Sequence, residues 1–283
     1  SFDLEAQYER AFRMLQSGLN TGKVIVRVAG PVAVGAGGVH VVTGGTSGLG
    51  LFTGRWAAQC CAIRCLVLAS CGDVRSSDDA SQKEWEALED TQVSTAIAQC
   101  DVDDVAHKRL LITTLAAAPE GVWHAASILA DAVLSEQNSL ALARVFGPKA
   151  HSAGELHLAC ITPAVRACVV FSSVAALLGG AEQANYSAAN ACLDALASYR
   201  HAHGLTAVSV QWGAWAEVDV VANAASREMA GASGFGRIEL AAGLAALAMG
   251  VRQGVPSVLG KVPIKLSRFL GGGMTVPALL SAF

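Results

Sequence analysis

The strongest constraint on the fold is an alternation of short β-branched runs with longer Ala/Leu-rich segments from about residue 39 onward. Parallel strands joined by covering helices produce this pattern, because each crossover between parallel strands needs a long connection. The alternation predicts an α/β fold with a doubly wound parallel sheet. The candidate strands are residues 39–43, 65–69, 94–99, 121–125, 167–172 and 207–212, with a possible seventh at 256–259.

Two regions depart from this alternation. Residues 1–38 combine an amphipathic stretch with a Gly/Ala/Val-rich run whose composition is typical of a linker. Residues 213–236 lose the strand pattern and mix Gly, Ala, Asn and charged residues. A long irregular segment of this kind predicts a mobile loop over a site.

Composition excludes several classes of partner. A net charge of -3 without a Lys/Arg-rich run argues against nucleic acid and anionic membrane surfaces, since both need a concentrated positive field. No run of apolar residues is long enough for a membrane helix and no signal-peptide pattern is present, so we expect a cytoplasmic setting. The eight cysteines form no C-x-x-C pair, and we expect neither a disulfide nor a metal site.

A glycine-rich run lies between the first strand pattern and a helix pattern. In dinucleotide-binding folds this position carries a tight turn, a close backbone approach to the pyrophosphate and a helix N-terminus aimed at it. A plain turn would also be rich in glycine, so the strand-to-helix context carries the argument. The candidate cofactor residues in this run are Thr43, Gly44, Gly45, Thr46, Ser47, Gly48, Leu49 and Gly50.

Further cofactor candidates follow the next three strands. After the second strand, Ser70 and Arg75 could contact a 2′-phosphate, although Arg75 could equally be a solvated loop residue. Asp101 and Val102 follow the third strand and could lie against an adenine ring. After the fourth strand come small residues that would let a nicotinamide ribose lie against the backbone. This last group is His124, Ala125 and Ala126, with His124 itself expected to be packed rather than catalytic.

Four polar residues form the candidate catalytic set: Lys149, Ser173, Tyr186 and Asn190. Tyr186 and Asn190 are four residues apart, so they share one face of a helix. A carbonyl reductase needs a proton donor beside the oxygen that gains charge, and a nearby ammonium would lower the pKa of a phenol. Tyr186 would donate the proton, Ser173 would hydrogen-bond the alkoxide, and Lys149 would stabilise the phenolate and hold the ribose hydroxyls. Asn190 would orient Lys149 or a relay water.

Several motifs together resemble the ketoreductase domains of modular polyketide synthases and animal-type fatty acid synthases, a branch of the short-chain dehydrogenase/reductase superfamily. Ordinary superfamily members place lysine four residues after the tyrosine, whereas this branch is similar to the present chain, with Asn190 there and Lys149 upstream. The motifs are Thr43-Gly-Gly-Thr-Ser-Gly-Leu-Gly50, Cys100-Asp-Val102, His124-Ala-Ala126, Val145-Phe-Gly-Pro-Lys149, Phe171-Ser-Ser-Val174, Gln183-Ala-Asn-Tyr-Ser-Ala-Ala-Asn190 and Gln211-Trp-Gly-Ala-Trp215.

This resemblance implies NADPH-dependent reduction of a β-ketoacyl thioester, carried on the phosphopantetheine of an acyl carrier protein, to the β-hydroxyacyl thioester. Residues 39–268 would form the catalytic domain, with 213–236 as its substrate lid. Residues 1–38 resemble the end of an upstream enoylreductase domain, and 269–283 a linker toward a carrier protein. Two departures concern the cofactor: Cys71 stands where the family usually has arginine, and Ser127 where it usually has glycine.

The resemblance also addresses the hand of the product. A family signature for the D-hydroxy outcome, Leu-Asp-Asp, occurs here as Leu129-Ala-Asp131, and Gln183 fits the same B-type outcome. Trp212 and Gly213, at the start of the loop, are expected on the substrate side. Two alternatives stay open: a catalytically silent scaffold with the same fold, and a free-standing short-chain carbonyl reductase.

Overall fold

The structure is a computed structural model, and it describes residues 2–3, 13, 16–17, 26–27, 38–61, 63–71, 79–100, 107, 111, 115, 118–161, 165–216, 234–252 and 254–269. The chain divides into two units, Ser1–Ala33 and Val34–Phe283. In the first unit, Phe2–Asp3 pairs in parallel with Val26–Arg27. Residues 1–38, for which the sequence predicts a linker, therefore contain one short strand pair.

The second unit is built on a seven-stranded, wholly parallel sheet, whose strands are numbered here in chain order. Its spatial order is β3-β2-β1-β4-β5-β6-β7. This is the doubly wound, Rossmann-like arrangement, so the predicted fold class is confirmed. The strands are β1 (Val39–Thr43), β2 (Cys65–Ser70), β3 (Ser94–Gln99), β4 (Pro119–His124), β5 (Ala167–Ser173), β6 (Val208–Trp212) and β7 (Val258–Lys261).

Helices connect these strands. Three helical segments between β4 and β5 follow one another without a break: the α-helix Ser139–Phe146, a π-helical segment of residues 147–151, and the α-helix Ser152–Ala159. A short 3₁₀ turn, Leu134–Glu136, precedes them. The helices are α1 (Gly48–Cys60), α2 (Asp79–Glu89), α3 (Ser139–Phe146), α4 (Ser152–Ala159), α5 (Ala175–Leu178), α6 (Ala184–Ala202), α7 (Leu240–Gly250) and α8 (Leu266–Phe269).

The centre of the sheet is fully buried, as expected for parallel strands covered on both faces. All five residues of β1 are buried, and they include His40, whose ring accepts a hydrogen bond from Trp123 Nε1 at 3.1 Å. Gly121 on β4 makes room for this ring, since a Cβ there would overlap it. The core therefore contains one polar pair whose geometry depends on a glycine.

The strand order reverses between β1 and β4, which are neighbours in space but not in sequence. In doubly wound sheets the crevice at the carboxyl ends of such strands is where ligands bind. The ends of β1, β4 and β5 are Thr43, His124 and Ser173, and all three belong to the predicted site. None of the helices in the described part of the chain has the length and apolar character needed to cross a membrane.

Candidate active site

The glycine-rich turn between β1 and α1 has the backbone geometry that dinucleotide binding needs. Gly44 and Gly48 adopt positive φ angles of 66° and 48°, which side-chain-bearing residues rarely adopt. A Cβ on Gly44 would lie 3.0 Å from the backbone of Ala126, and one on Gly50 would overlap the Gly44 carbonyl oxygen. The turn is thus compact, and it leads directly into the N-terminus of α1, where amide groups and the helix dipole favour an anion.

The described residues fit a dinucleotide at this edge of the sheet. The turn after β1 would receive the pyrophosphate, and Ser70 closes β2 beside it, where the adenosine ribose of a dinucleotide fold lies. Ala125 and Ala126 follow β4 and pack closely on Gly44. The predicted contacts Arg75, Asp101 and Val102 lie outside the described residues.

The His124 side chain is packed inside the protein and is not open to a cofactor. Its ring is buried, with Nδ1 2.7 Å from Thr43 Oγ1 and Nε2 2.9 Å from the Lys149 carbonyl oxygen. Since a carbonyl oxygen can only accept, Nε2 carries a proton and donates it, while Nδ1 and the Thr43 hydroxyl form the second hydrogen bond. The ring therefore joins the glycine-rich turn to the backbone of the catalytic lysine, as expected for a packed histidine.

Lys149 lies in the π-helical segment between α3 and α4. π-helical turns inside α-helices are rare and occur often at functional sites. The side chain is only 2% exposed, and its Nζ donates to the Phe171 carbonyl oxygen at 3.0 Å and to Asn190 Oδ1 at 2.9 Å. Burial lowers the pKa of Lys149 to about 7, while the negative charge of Asp194 opposes this shift.

Helix α6 supplies Tyr186 and Asn190 from one face, as their spacing predicts. Asn190 is completely buried, and its Nδ2 donates to the Tyr186 carbonyl oxygen at 2.8 Å, so both ends of its amide are used within the site. Lys149 Nζ lies 5.1 Å from the centroid of the Tyr186 ring. The hydrogen bond from Lys149 Nζ to Asn190 Oδ1 is the contact through which Asn190 would orient Lys149.

The start of α6 is fixed to the loop after β4 by Asn185. Its Oδ1 accepts from the Tyr186 amide at 2.8 Å, and its Nδ2 donates to the Ala130 carbonyl oxygen at 2.8 Å. These two bonds hold the backbone of Tyr186 against the loop that forms one wall of the site.

Ser173 ends β5, and its Oγ accepts from the Ala175 amide at 3.1 Å. Because that bond uses only a lone pair, the hydroxyl hydrogen is available to a neighbouring oxygen. Ser127 and Ser173 line the same cavity as the Tyr186 phenol. Ser173, Tyr186, Lys149 and Asn190 are therefore brought together by β5, the π-helical segment and α6.

The pKa of Tyr186 is raised, because burial of the phenol outweighs the opposite effect of its hydrogen bonds with Asn190, Ser173 and Ser127. Removal of water from around the phenol is the largest cause of this shift. A raised pKa keeps the phenol protonated at neutral pH. That is the state needed by a group that donates its proton.

These groups line one cavity of about 440 Å³, a volume typical of small-molecule sites. Its polar wall contains Lys149, Ser173, Tyr186 and Ser127. An aromatic wall faces it, in which the Trp212 and Trp215 rings lie 4.9 Å apart and the Phe171 and Trp212 rings 5.7 Å apart. The cavity can accept an apolar chain beside a group that reacts with a proton donor.

The residues expected to control the hand of the product also lie at this cavity. Leu129, Gln183, Trp212 and Gly213 line it, and Asp131 is connected to it because Gln183 Nε2 donates to Asp131 Oδ2 at 3.2 Å. Of the predicted lid, residues 217–233 lie outside the described residues. Its two described ends contribute Trp215 and Phe235 to the cavity wall.

Sequence reasoning missed three interactions of Lys149. Two are hydrogen bonds, from its Nζ to the Phe171 carbonyl and from the His124 ring to its own carbonyl, and the third is the effect of the Asp194 charge. The two backbone contacts leave no signal in residue type or spacing. Asp194 does leave one, because it follows Asn190 by four residues, as Asn190 follows Tyr186.

Fold and site together define a reductase of the short-chain dehydrogenase/reductase type, with a dinucleotide turn on one side of a Tyr/Ser/Lys/Asn cluster. Residues 38–217 match the model of the KR domain family. The chain belongs to this family, the ketoreductases of polyketide synthases, whose members bind a nicotinamide cofactor and act on CH–OH groups.

Individual relatives agree with this assignment. The chain is 37% identical over 224 residues to "Polyketide synthase GfsB" of Streptomyces halstedii, covering 78% of this chain and 4% of the relative. It is 36% identical over 189 residues to a phthioceranic/hydroxyphthioceranic acid synthase of Mycobacterium tuberculosis strain ATCC 25618 / H37Rv, covering 64% and 8%. The chain thus spans a small fraction of these curated relatives.

Among solved structures, the chain is similar to A-type ketoreductases from a modular polyketide synthase, with a TM-score of 0.79 and 31% identity over 89% of this chain and 52% of that one. It is also similar to the ketoreductase PlmKR1, from the first module of phoslactomycin biosynthesis in Streptomyces sp. HK803. That match has a TM-score of 0.76 and 30% identity, and covers 83% of this chain and 54% of the other.

Proposed function

We propose that the chain is the ketoreductase station of a longer synthase and reduces a β-ketoacyl thioester, carried on an acyl carrier protein, to the β-hydroxyacyl thioester with NADPH. The single observation that carries the proposal is the convergence of Tyr186, Ser173 and Lys149 on one cavity beside the glycine-rich turn, where Asn190 accepts a hydrogen bond from the Lys149 ammonium. A catalytically silent scaffold would not need all four groups in contact.

A bound nicotinamide supplies the hydride for such a reduction. The chain's own residues manage the charge that then develops on the carbonyl oxygen. Ser173 donates its hydroxyl hydrogen to that oxygen, and Tyr186 transfers its phenolic proton to it. The buried ammonium of Lys149 stabilises the phenolate left on Tyr186, and Asn190 fixes the ammonium through the 2.9 Å bond.

Protons must then return to Tyr186. Ser127 is an exposed residue that lines the same cavity wall as the phenol, while Ser173 lies deeper in the site. Ser127 therefore offers a path from water to the phenol that does not pass through the substrate.

The choice of NADPH depends on the region that follows β2. Ser70 at the strand end offers a hydroxyl to a 2′-phosphate, and Arg75 supplies the nearby positive charge in the sequence. Cys71 stands between them as an exposed free cysteine. We infer a preference for NADPH that depends mainly on Arg75.

A carrier-bound thioester fits the shape of the site better than a small free ketone does. The curated relatives are multidomain polyketide synthases, in which a substrate is passed between neighbouring domains. The apolar wall of Phe171, Trp212 and Trp215 suits an acyl chain. We further propose that an enoylreductase domain precedes residue 39 and that residues 269–283 lead to the carrier protein.

The D-hydroxy product remains our proposal for the hand of reduction. It is supported by Leu129 and Asp131 on the loop after β4 and by the bond between Asp131 and Gln183. The similar solved structures include both A-type and C2-type ketoreductases, so likeness of the fold does not assign the hand. The products must therefore be resolved.

The deciding experiment incubates the chain with NADPH and a β-ketoacyl N-acetylcysteamine thioester, follows loss of absorbance at the nicotinamide band, and separates the products on a chiral column. We expect consumption that depends on the thioester and gives one dominant enantiomer. Parallel reactions with NADH and with a free ketone test the cofactor and the substrate class.

Each contrary outcome identifies an alternative. Tight NADPH binding without turnover of any thioester, free or carrier-bound, would establish a scaffold. Equal turnover of free ketones would establish a free-standing carbonyl reductase. A dominant L-hydroxy product would refute the stereochemical proposal alone.

A further inference from the structure

The Lys149 ammonium is buried without a direct counter-charge. Its two acceptors, the Phe171 carbonyl and Asn190 Oδ1, are neutral dipoles. Among the described residues, no carboxylate lies within salt-bridge distance of its Nζ. Taking a charge out of water without pairing it is costly, and the usual response is loss of the proton. Some other feature must keep this lysine charged if it is to act on Tyr186.

Asp194 lies on the same face of α6 as the catalytic residues, because Tyr186, Asn190 and Asp194 follow one another at intervals of four. It is only partly exposed. Strand β6 holds both of its oxygens: Ser209 Oγ donates to Oδ1 at 2.6 Å, and Gln211 Nε2 donates to Oδ2 at 2.8 Å. Both donors are neutral, so they orient the carboxylate without cancelling its charge.

We propose that Asp194 is a positioning residue whose carboxylate, clamped between α6 and β6, supplies the negative charge that keeps the Lys149 ammonium protonated beside Tyr186. The interaction acts through space rather than by contact, as is possible where water is excluded and the effective dielectric constant is low. The sign agrees, since Asp194 raises the pKa of Lys149 against the effect of burial.

The other titratable groups around Lys149 do not replace this charge. Tyr186 on α6 is neutral when protonated, and His124 on β4 carries no negative charge and has both ring nitrogens engaged, by Thr43 and by the Lys149 carbonyl. The strand β5 contributes only the Phe171 carbonyl. Within the helices continuous with Lys149, Arg144 and His151 are exposed and Glu155 is partly exposed, so water screens them.

The test removes the charge and keeps the shape. In Asp194→Asn, the amide oxygen still accepts from Gln211 and the amide nitrogen can donate to Ser209 Oγ. The matched control is Asp90→Asn, the same chemical change at an exposed residue after α2. The protonation of Lys149 is followed by NMR on protein labelled at lysine Cε, with its signal assigned by its loss in Lys149→Met.

We expect the Lys149 titration to move to lower pH in Asp194→Asn and to stay unchanged in Asp90→Asn. With a β-ketoacyl thioester as substrate, the activity of Asp194→Asn at pH 8.5 should fall about tenfold while activity at pH 6 stays within about twofold, the pattern of one lost pKa unit. A uniform loss at all pH values would indicate a merely structural role and would overturn the proposal.

The inference rests on the proposed reductase function only for its activity measurement, because the NMR titration needs no turnover. An unchanged Lys149 titration refutes the role of Asp194 whether or not the chain reduces thioesters. If Asp194→Asn does not fold, Gln211→Lys places an ammonium against the same carboxylate and neutralises its charge. That variant should also move the Lys149 titration to lower pH, and an unmoved titration would again refute the proposal.

Discussion

Asn190 Oδ1 accepts a hydrogen bond from Lys149 Nζ at 2.9 Å, while Asn190 Nδ2 donates to the Tyr186 carbonyl oxygen one turn earlier in α6. One amide thus connects the lysine to the backbone of the tyrosine. The lysine is held from a different segment of the chain, so the amide also joins α6 to the π-helical segment. The following predictions begin with this connection.

Replacement of Asn190 by leucine should lower both stability and activity. The change keeps the volume but leaves a buried ammonium with one acceptor fewer, which costs about 1.5–3 kcal/mol of unfolding free energy for a charged bond. We expect kcat to fall about tenfold or more. Chemical denaturation and steady-state kinetics measure the two effects. Asn138→Ala is the control, because it removes the side-chain cap of α3 and should cost stability alone.

Replacement of Tyr186 by phenylalanine should reduce kcat about a hundredfold or more, since the proton donor is lost. The dissociation constant for NADPH, measured by fluorescence, should change little. Tyr199→Phe makes the same change at a tyrosine that is 52% exposed on the same helix, and it should leave kcat intact. Retained turnover in Tyr186→Phe would remove the phenol from the mechanism.

Alanine at Gly44 should weaken cofactor binding. Its positive φ would cost an alanine about 1–2 kcal/mol, and the new Cβ would press on the backbone of Ala126. We expect the NADPH dissociation constant to rise about tenfold. Gly154 of α4 is the matched control, since a Cβ there meets nothing within 4 Å. Gly154→Ala should stabilise the fold by about 0.5–1 kcal/mol without changing the dissociation constant.

Loss of the bond between Gln183 and Asp131 should erode the selectivity between product enantiomers. Gln183→Leu removes a donor worth about 1 kcal/mol, and the ratio of the two products should change about fivefold. Gln137→Leu is the control, because Gln137 also donates to this loop, at the Ala132 carbonyl oxygen, but does not line the cavity. Chiral chromatography measures the enantiomer ratio for each variant. An equal change in both variants would mean that loop stability, rather than the bond to Asp131, controls the ratio.

The fold should lose stability in mild acid because of His40. Burial lowers the pKa of His40 to about 4, so between pH 6.5 and 4 the unfolded chain binds a proton that the folded chain does not. This contribution, up to about 3 kcal/mol, is complete above pH 6.5 and is lost as the pH falls through that range. Burial of Lys149 affects the unfolding free energy in a separate pH range, above pH 7, because its pKa is lowered to about 7.

The measurement for His40 is the unfolding free energy at several pH values between 4.5 and 7. In His40→Gln the slope between pH 4.5 and 6.5 should become shallower, although the variant itself is less stable. His201→Gln, at an exposed histidine, should keep the original slope. An identical slope in His40→Gln would show that other groups cause the acid sensitivity.

The central strands were predictable because they are buried on both faces and therefore have a nearly uninterrupted apolar pattern. The bounds 39–43 and 94–99 agree with β1 and β3, while the last strand begins two residues later than predicted and ends at Lys261. Strand ends depend on pairing partners, which a single sequence does not show. The Tyr186 and Asn190 pair was predictable because helical spacing fixes their common face.

The rest of the site depends on contacts that have no local pattern. Lys149 reaches Asn190 across 41 positions of sequence, and Ser173 arrives from a third element. His124 was expected to be packed, but its partners, Thr43 and the Lys149 carbonyl, follow only from the three-dimensional arrangement. The burial that raises the pKa of Tyr186 is likewise a property of the folded chain.

The position of Lys149 depends on the number of residues in the π-helical segment 147–151. Its turns enclose one residue more than α-helical turns do. Deleting one residue there would replace the wide turn by an ordinary α-helical turn and change the direction in which the side chains of this turn leave the helix. Lys149 would then leave Asn190 even though no catalytic side chain had been changed, so this segment tolerates substitutions on its exposed side far better than any change of length.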